Sequence, residues 1–285
     1  METPYSTPQT YIDDFNPMDY LQTYFSPGQG VAVGEWTDFV LQNLHEIFTS
    51  GFMVLVPTQD TSGGSTVLPV TGRVKGDTLI DFGAGPTIYH LLSACEVFNN
   101  IITSDFLEQN RREVQKWLRK DLDAFDWTPI VKYVCELENN SDNWQEKEAK
   151  LRRKVTKVLQ CDALKKNPYD PEVMPEADCL LSCLCLEGPC KDPEAFCNTL
   201  KSFYDLLKPG GHLIILSVLN GTFYFVGQKK FSCLSLTRED LERAFKKAGF
   251  EIEELKVVPR NDKSRMDITD YDSLYCVHAR KPLNL

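Results

Sequence analysis

The segment Thr78-Leu-Ile-Asp-Phe-Gly-Ala-Gly-Pro-Thr-Ile88 constrains the fold more than any other part of this chain. An apolar strand ends there in an acid and turns through two glycines toward a segment expected to be helical. Such a joint is a cradle for a nucleotide-type cofactor. Gly83 and Gly85 let the backbone approach a ligand that a Cβ would block, and free amides at the start of the following helix can face its polar atoms. Turn geometry alone also asks for glycine, so the loop needs support from the rest of the chain. A dinucleotide-binding loop places a third glycine at position 88. Ile88 stands there instead, which counts against an oxidoreductase with a nicotinamide cofactor.

Two further strand ends supply that support. Ile101-Ile-Thr-Ser-Asp105 follows one helix later, at the distance a βαβ unit requires for a carboxylate that binds ribose hydroxyls. Val158-Leu-Gln-Cys-Asp162-Ala163 ends a third apolar run in an acid placed to bind an adenine amino group. One strand-end acid is usually a solvated turn residue; three in register with a glycine loop point to a nucleoside.

Composition narrows the class. With 285 residues, 42% hydrophobic and 25% charged, the chain is long enough for one large α/β domain with an appendage. A net charge of −10 argues against a nucleic-acid partner, because phosphate binding needs a basic face. No apolar run is long enough for a membrane span, and the N-terminus lacks the basic and apolar regions of a signal peptide. The expectation is a cytoplasmic monomer acting on a small molecule. Ten cysteines are scattered without a C-x-x-C pair, so reduced, metal-free thiols are expected, with Cys179, Cys183 and Cys185 on one face of a strand. His90, His212 and His278 show no partner at ligand spacing.

Along the chain, Tyr20 and Tyr24 fall one helical turn apart and share a face. A helix is expected over 35–48, then an inserted loop over 51–72, within which Phe52 to Val56 reads as a packed patch or short strand. Beyond the cradle the pattern predicts helices at 87–98, 107–121, 143–155, 193–207 and 237–249. It predicts strands at 100–105, near 131–136, and at 157–163, 177–183, 211–219, 250–258 and 274–281. This alternation means a mainly parallel sheet covered by helices on both faces. The last two strands have no helix between them and should pair antiparallel.

The chain resembles the vertebrate small-molecule N-methyltransferases that act on nicotinamide, indolethylamines and phenylethanolamine. The resemblance runs through Phe15-Asn-Pro-Met-Asp-Tyr-Leu21, Gly76 to Tyr89, Ser104-Asp-Phe106, Phe125-Asp-Trp-Thr-Pro129, Leu207-Lys-Pro-Gly-Gly-His-Leu213 and Phe231-Ser-Cys-Leu-Ser-Leu236. It covers nearly the whole chain, and Asn143-Trp-Gln-Glu-Lys-Glu148 leans toward the indolethylamine branch. It implies a Rossmann-like class I methyltransferase, α/β, with a seven-stranded, mainly parallel sheet carrying one antiparallel strand, and an N-terminal helical lid. Residues 1–50 would be lid and cap and 73–285 the core; the 51–72 insertion is longer than the family's connection. The cofactor implied is S-adenosyl-L-methionine (SAM).

Position by position, the resemblance puts Tyr20, Tyr24, Gly83, Ala84 and Thr87 against the methionine part of SAM, Asp105 and Asn110 at its ribose, and Asp162 and Ala163 at its adenine. Tyr11, Phe25 and Tyr224 would wall the acceptor pocket, with Tyr20 between acceptor and sulfonium. Where the nicotinamide branch grips a carboxamide with an aspartate and two serines, this chain has Ser217, Gly221 and Cys233. Glu187 and Asp270 match acids that contact the amine in the phenylethanolamine enzyme. Tyr20 and Glu187 are therefore the catalytic candidates, Glu187 as the group that holds an ammonium and takes its proton. The acceptor expected is an arylalkylamine. A pyridine such as nicotinamide and a SAM-binding relative without turnover are the alternatives.

Overall fold

A computed structural model describes residues 4–26, 34–49, 52–57, 65–70 and 73–283, with backbone alone over 52–57 and 65–70. Two short helices open the chain, α1 (Pro8–Asp14) and α2 (Pro17–Phe25), each with proline in its first turn. Thr7 and Asn16 cap them: Asn16 Oδ1 accepts from the amides of Met18 and Asp19 at 2.9 and 3.1 Å. Helix α3 (Glu35–Phe48) buries Val40, Leu41, Leu44, Ile47 and Phe48 on one stripe. The expected insertion carries an antiparallel ribbon of β1 (Phe52–Pro57) and β2 (Ser65–Val70); the rest of it lies outside the described residues. The chain enters and leaves this insertion at one point, since the Val74 amide bonds to the Ile47 carbonyl.

The remaining strands are β3 (Thr78–Phe82), β4 (Asn100–Asp105), β5 (Val155–Gln160), β6 (Ala177–Cys183), β7 (Leu207–Leu219), β8 (Phe223–Val226), β9 (Lys229–Ser232), β10 (Glu251–Pro259) and β11 (Ser273–Arg280). Helices α4 (Glu108–Arg119), α5 (Thr128–Leu137), α6 (Trp144–Lys154), α7 (Pro193–Leu206) and α8 (Arg238–Ala248) connect them. Seven strands form one sheet in the order β10-β11-β7-β6-β3-β4-β5, in which β11 alone runs against its neighbours. Strands β8 and β9 make a separate hairpin. Alternation along β7 explains the two cores. Ile214 and Leu216 face the layer of α3, α4, α5 and α6, whereas Leu213 and Ile215 face α7 and α8. The mainly parallel sheet with one reversed strand is as expected.

Two elements differ. The run near 131–136, expected as a strand, is helix α5: its buried residues Ile130, Val131, Val134 and Cys135 repeat with helical spacing, and Pro129 sits in the first turn. Valine and isoleucine favour strands, but one-sided burial decides here. The expected helix over 87–98 forms only two turns of 3₁₀ helix, Tyr89–Leu91 and Ala94–Glu96. Every residue from Thr87 to Cys95 is buried, so contacts on all sides set its path.

Beside those turns lies an ion cluster within the protein. Lys147 on α6 is 4% exposed and joins Glu96 at 2.6 Å and Glu138. Lys150 joins the other oxygen of Glu96 at 2.7 Å. Lys147→Met leaves Glu138 half-buried without its cation, so we expect a loss of about 2–3 kcal/mol in unfolding free energy. Urea denaturation checks this, and a loss below about 1 kcal/mol would assign the cluster no more than a surface role.

Candidate active site

A continuous cavity opens at the C-terminal ends of β3, β4, β6 and β7, where the strand order reverses on either side of β3. One half is polar. Asp105, 8% exposed at the tip of β4, accepts from the amides of Gly85 (2.9 Å) and Leu107 (2.8 Å) and from Asn110 Nδ2 (3.0 Å). Burial raises its pKa, and these donors work against that effect. Asn110 Oδ1 is buried with no partner among the described residues. A buried acceptor left open beside a carboxylate fits a ligand that brings hydroxyl groups.

The glycine loop works differently from the expectation. The amides of Gly83 and Ala84 both donate to the Ser104 carbonyl at 2.9 Å, and that of Gly85 goes to Asp105. With no α-helix following, the loop offers no free helix N-terminus to a ligand. Both glycines adopt left-handed φ, +72° and +60°. A Cβ on Gly83 would lie 2.0 Å from Cys185 Sγ, whereas around Gly85 the space is open. Asp81 holds the loop from beneath: its carboxylate takes Thr103 Oγ1 at 2.7 Å and His90 Nε2 at 2.9 Å. Thr87 Oγ1 donates to the Ala84 carbonyl at 2.7 Å. Asp162 lies just past β5, where Oδ1 accepts the Leu164 amide at 2.9 Å, and it lines the cavity with Ala163.

The other half is aromatic. Tyr20 and Tyr24 on α2 stand 5.0 Å apart between ring centroids, and Phe15 lies 5.5 Å from Tyr20. Tyr11 packs 4.9 Å from Phe231, and Tyr224 stacks on the same ring at 5.5 Å. Phe25 lines the cavity while packing on Tyr89 and Trp127. Burial raises the phenol pKa values of Tyr11, Tyr20 and Tyr224, so all remain protonated. Tyr20 Oη makes no hydrogen bond among the described residues, which leaves it to the cavity. The lid is latched to the β8–β9 hairpin at several points. Ser6 and Ser232 exchange amide-to-hydroxyl bonds at 2.7 and 2.8 Å, Tyr224 Oη donates to Tyr11 Oη, and Tyr24 Oη donates to the Phe225 carbonyl.

Glu187 lies in this half, 3% exposed, with Oε1 accepting Tyr275 Oη at 2.8 Å. Burial raises its pKa. Ser217, Gly221 and Cys233 also line the cavity. Asp270 does not: its carboxylate is taken by the Thr222 amide and hydroxyl (2.7 and 2.5 Å) and the Phe223 amide. The acid expected at the acceptor thus caps the start of β8. Phe15 and Phe231 stand inside motifs the sequence singles out, yet no role could be assigned to them until the folding of α1 onto β9 brought them together.

The cysteines and histidines also need correction. Strand β6 ends at Cys183, Leu184 turns with φ of +48°, and Cys185 leaves the face of Cys179 and Cys183 to sit against Gly83. Burial raises the thiol pKa of Cys185, Cys161 and Cys233, which makes them poor nucleophiles. His212 and His278, expected without partners, are hydrogen-bonded at 2.9 Å on neighbouring strands with Glu253 3.4 Å away. Their ligand atoms lie within 4.8 Å of one another. An ion on His278 Nε2 would leave its buried Nδ1, which has no partner among the described residues, as an unpaired N–H. The group reads as a hydrogen-bonded pair beside a surface carboxylate.

Sheet order, a glycine loop beneath a strand-end acid, and an open ribose-type acceptor define a Rossmann-like SAM-dependent methyltransferase. The chain belongs to the NNMT/PNMT/TEMT family, whose model matches residues 63–282. It is 41% identical over 282 residues to nicotinamide N-methyltransferase of Homo sapiens, spanning 99% of this chain and 98% of that protein. It is 43% identical over 262 residues to indolethylamine N-methyltransferase of Oryctolagus cuniculus, 92% of each, and 36% identical over 274 residues to phenylethanolamine N-methyltransferase of Mus musculus, 94% of this chain and 85% of that one. Among solved structures, the [4+2]-cyclase SpnF shares the fold over 100% of both chains, with a TM-score of 0.53 and 14% identity. The protein is a SAM-dependent N-methyltransferase. No helix among the described residues is long and apolar enough to cross a membrane.

Two outcomes follow for the cofactor half. Asp105→Asn should weaken SAM binding by about 1.5–3 kcal/mol in calorimetry, the range for hydrogen bonds to a charged group; unchanged affinity would remove Asp105 from the ribose. Tyr20→Phe should leave the melting temperature within about 2 °C, because no protein hydrogen bond is lost, while lowering turnover. Full activity in that variant would make Tyr20 a packing residue only.

Proposed function

We propose that the enzyme methylates the nitrogen of an arylalkylamine. The observation that carries this reading is Glu187: a carboxyl 3% exposed in the acceptor wall, bonded to a phenol and in no ion pair among the described residues. A buried carboxylate without a counter-charge costs several kcal/mol. An alkylammonium entering the cavity supplies that charge. The relatives at 41–43% identity divide between nicotinamide and indolethylamine enzymes, so they leave the acceptor to the pocket.

SAM, when bound, supplies an electrophilic methyl group. Asp105 and Asn110 hold its ribose, Asp162 and Ala163 its adenine, and Tyr20, Tyr24 and Thr87 face its methionine end. The aromatic walls of Tyr11, Phe15, Tyr20 and Tyr224 take the planar part of the acceptor and favour positive charge at their faces, worth about 0.5–2 kcal/mol. The bonds from the N-terminal helices to the β8–β9 hairpin hold these rings in place, which aids near-attack alignment. An ammonium must lose its proton before its nitrogen has a lone pair. Glu187, its pKa raised by burial, is suited to accept that proton. Ser217, Gly221 and Cys233 offer one hydroxyl and one thiol where a carboxamide would need an acid and two hydroxyls, so nicotinamide is held poorly.

An acceptor panel with methyl-labelled SAM tests this. Arylalkylamines should show higher kcat/KM than nicotinamide. Glu187→Gln should cut amine kcat/KM by about tenfold or more. It should also move its rise to higher pH, because without the carboxylate only free amine reacts. Ring-nitrogen acceptors, already unprotonated at neutral pH, should barely respond. Nicotinamide outcompeting tryptamine and phenylethylamine would return the enzyme to the pyridine class.

A further inference from the structure

The Glu187 carboxyl is held by a residue outside the cavity. Tyr275 on β11 is fully buried, its ring packed among the side chains facing α7 and α8, and only its hydroxyl reaches the pocket wall, 2.8 Å from Glu187 Oε1. In the register of β11 with β7, Tyr275 lies directly opposite Ser217. Ser217 is fully buried too and lines the cavity, its hydroxyl beside both the Glu187 carboxyl and the Tyr275 hydroxyl. The turn carrying Glu187 is itself pinned, because its carbonyl accepts the Leu234 amide at 2.7 Å. A glutamate has three rotatable bonds. Here the backbone is fixed at one end and one carboxyl oxygen at the other, with the Ser217 hydroxyl beside the carboxyl.

Resting on the reading of Glu187 given above, we propose that Tyr275 is a positioning residue for amine methylation: its hydroxyl holds Glu187 Oε1 so that Oε2, beside Ser217 Oγ, meets the acceptor's ammonium. Selection of cationic amines over neutral ring nitrogens then depends on a residue that does not touch the substrate.

The groups that face Glu187 are Tyr275 from β11, Ser217 from β7, Cys185 and Cys190 from its own turn and the following segment, and Cys233 after β9. Burial raises the pKa of all three thiols, so they are neutral. Tyr275 also stays protonated, its pKa raised by burial. Its O–H therefore stabilises the ionised carboxylate against the effect of burial. Replacing it by phenylalanine raises the pKa of Glu187 further, and the acid limb of amine turnover must move to higher pH.

The experiment is the pH profile of kcat/KM for tryptamine and for nicotinamide in wild type, Tyr275→Phe, Glu187→Gln and the double variant. In Tyr275→Phe the acid limb for tryptamine should rise by about one pH unit and kcat/KM at neutral pH should fall by about tenfold. Nicotinamide turnover and SAM affinity should stay within about twofold. In the Glu187→Gln background, Tyr275→Phe should add nothing. A tryptamine profile that Tyr275→Phe leaves unmoved, while Glu187→Gln shifts it, overturns the role of Tyr275 and keeps that of Glu187. If Glu187→Gln has no effect on amines, the reading of the acceptor itself falls. Should Tyr275→Phe fail to fold, difluorotyrosine at position 275, a stronger donor of the same shape, must move the acid limb downward; an unmoved limb refutes the proposal.

Discussion

The carboxylate of Asp105 ties together two neighbouring strand ends, and the rest of the cofactor half depends on it. It takes one amide from the glycine loop after β3, one from the start of α4, and the side-chain amide of Asn110. The parallel register of β3 with β4 brings these groups within reach: Phe82 is opposite Ser104, so Gly85 and Asp105 leave the sheet side by side. Asp81 repeats the device one layer down, joining β3 to β4 through Thr103 and to the 3₁₀ turn through His90. The Ser104 carbonyl takes the amides of Gly83 and Ala84 and Asp105 takes that of Gly85, so these three loop amides are all used within the protein. Asn110 Oδ1 stays open as a buried acceptor toward the cavity.

The cavity divides its chemistry by location. Polar groups gather where β3, β4 and β5 end, and aromatic rings gather beneath the lid. Methyl transfer from a sulfonium needs no covalent nucleophile, and thiols made unreactive by burial suit that economy. What the reaction does need is alignment and exclusion of water. The N-terminal helices are tied to β8 and β9 by two amide-to-serine-hydroxyl bonds and two bonds donated by tyrosine hydroxyls. Such bonds are individually modest, each about 0.5–1.5 kcal/mol net. The lid is also rooted in the core, because Leu21 and Phe25 of α2 are buried in the cluster beneath the sheet.

Much of this was legible in the residues themselves. The spacing Asp81-x-Gly83-x-Gly85, the strand-end acids Asp105 and Asp162, and the helix-free link between the last two strands determined the cofactor class, the layered α/β sheet and its reversed strand. These are local signals: left-handed φ needs glycine, and a connection without a helix disfavours a parallel crossover. The tyrosine pair on α2 is local in the same way, since positions 20 and 24 must share a helical face.

Long-range packing decided the rest. Residues 87–95 are buried on every side, so no periodicity could reveal their 3₁₀ turns, and the β-branched run of α5 looked like a strand until one face of it was covered. Asp270 and Glu187 are equally acidic on paper. One became a backbone cap because the chain before β8 folds back over it, and the other became a buried cavity carboxyl bonded to a phenol. Tyr275 carries no signal in the sequence at all: it is one strand residue among many. Its closeness to Glu187, 88 residues away, exists only because β11 inserts beside β7, and hydrogen bonds act through space over about 3 Å whatever the separation along the chain.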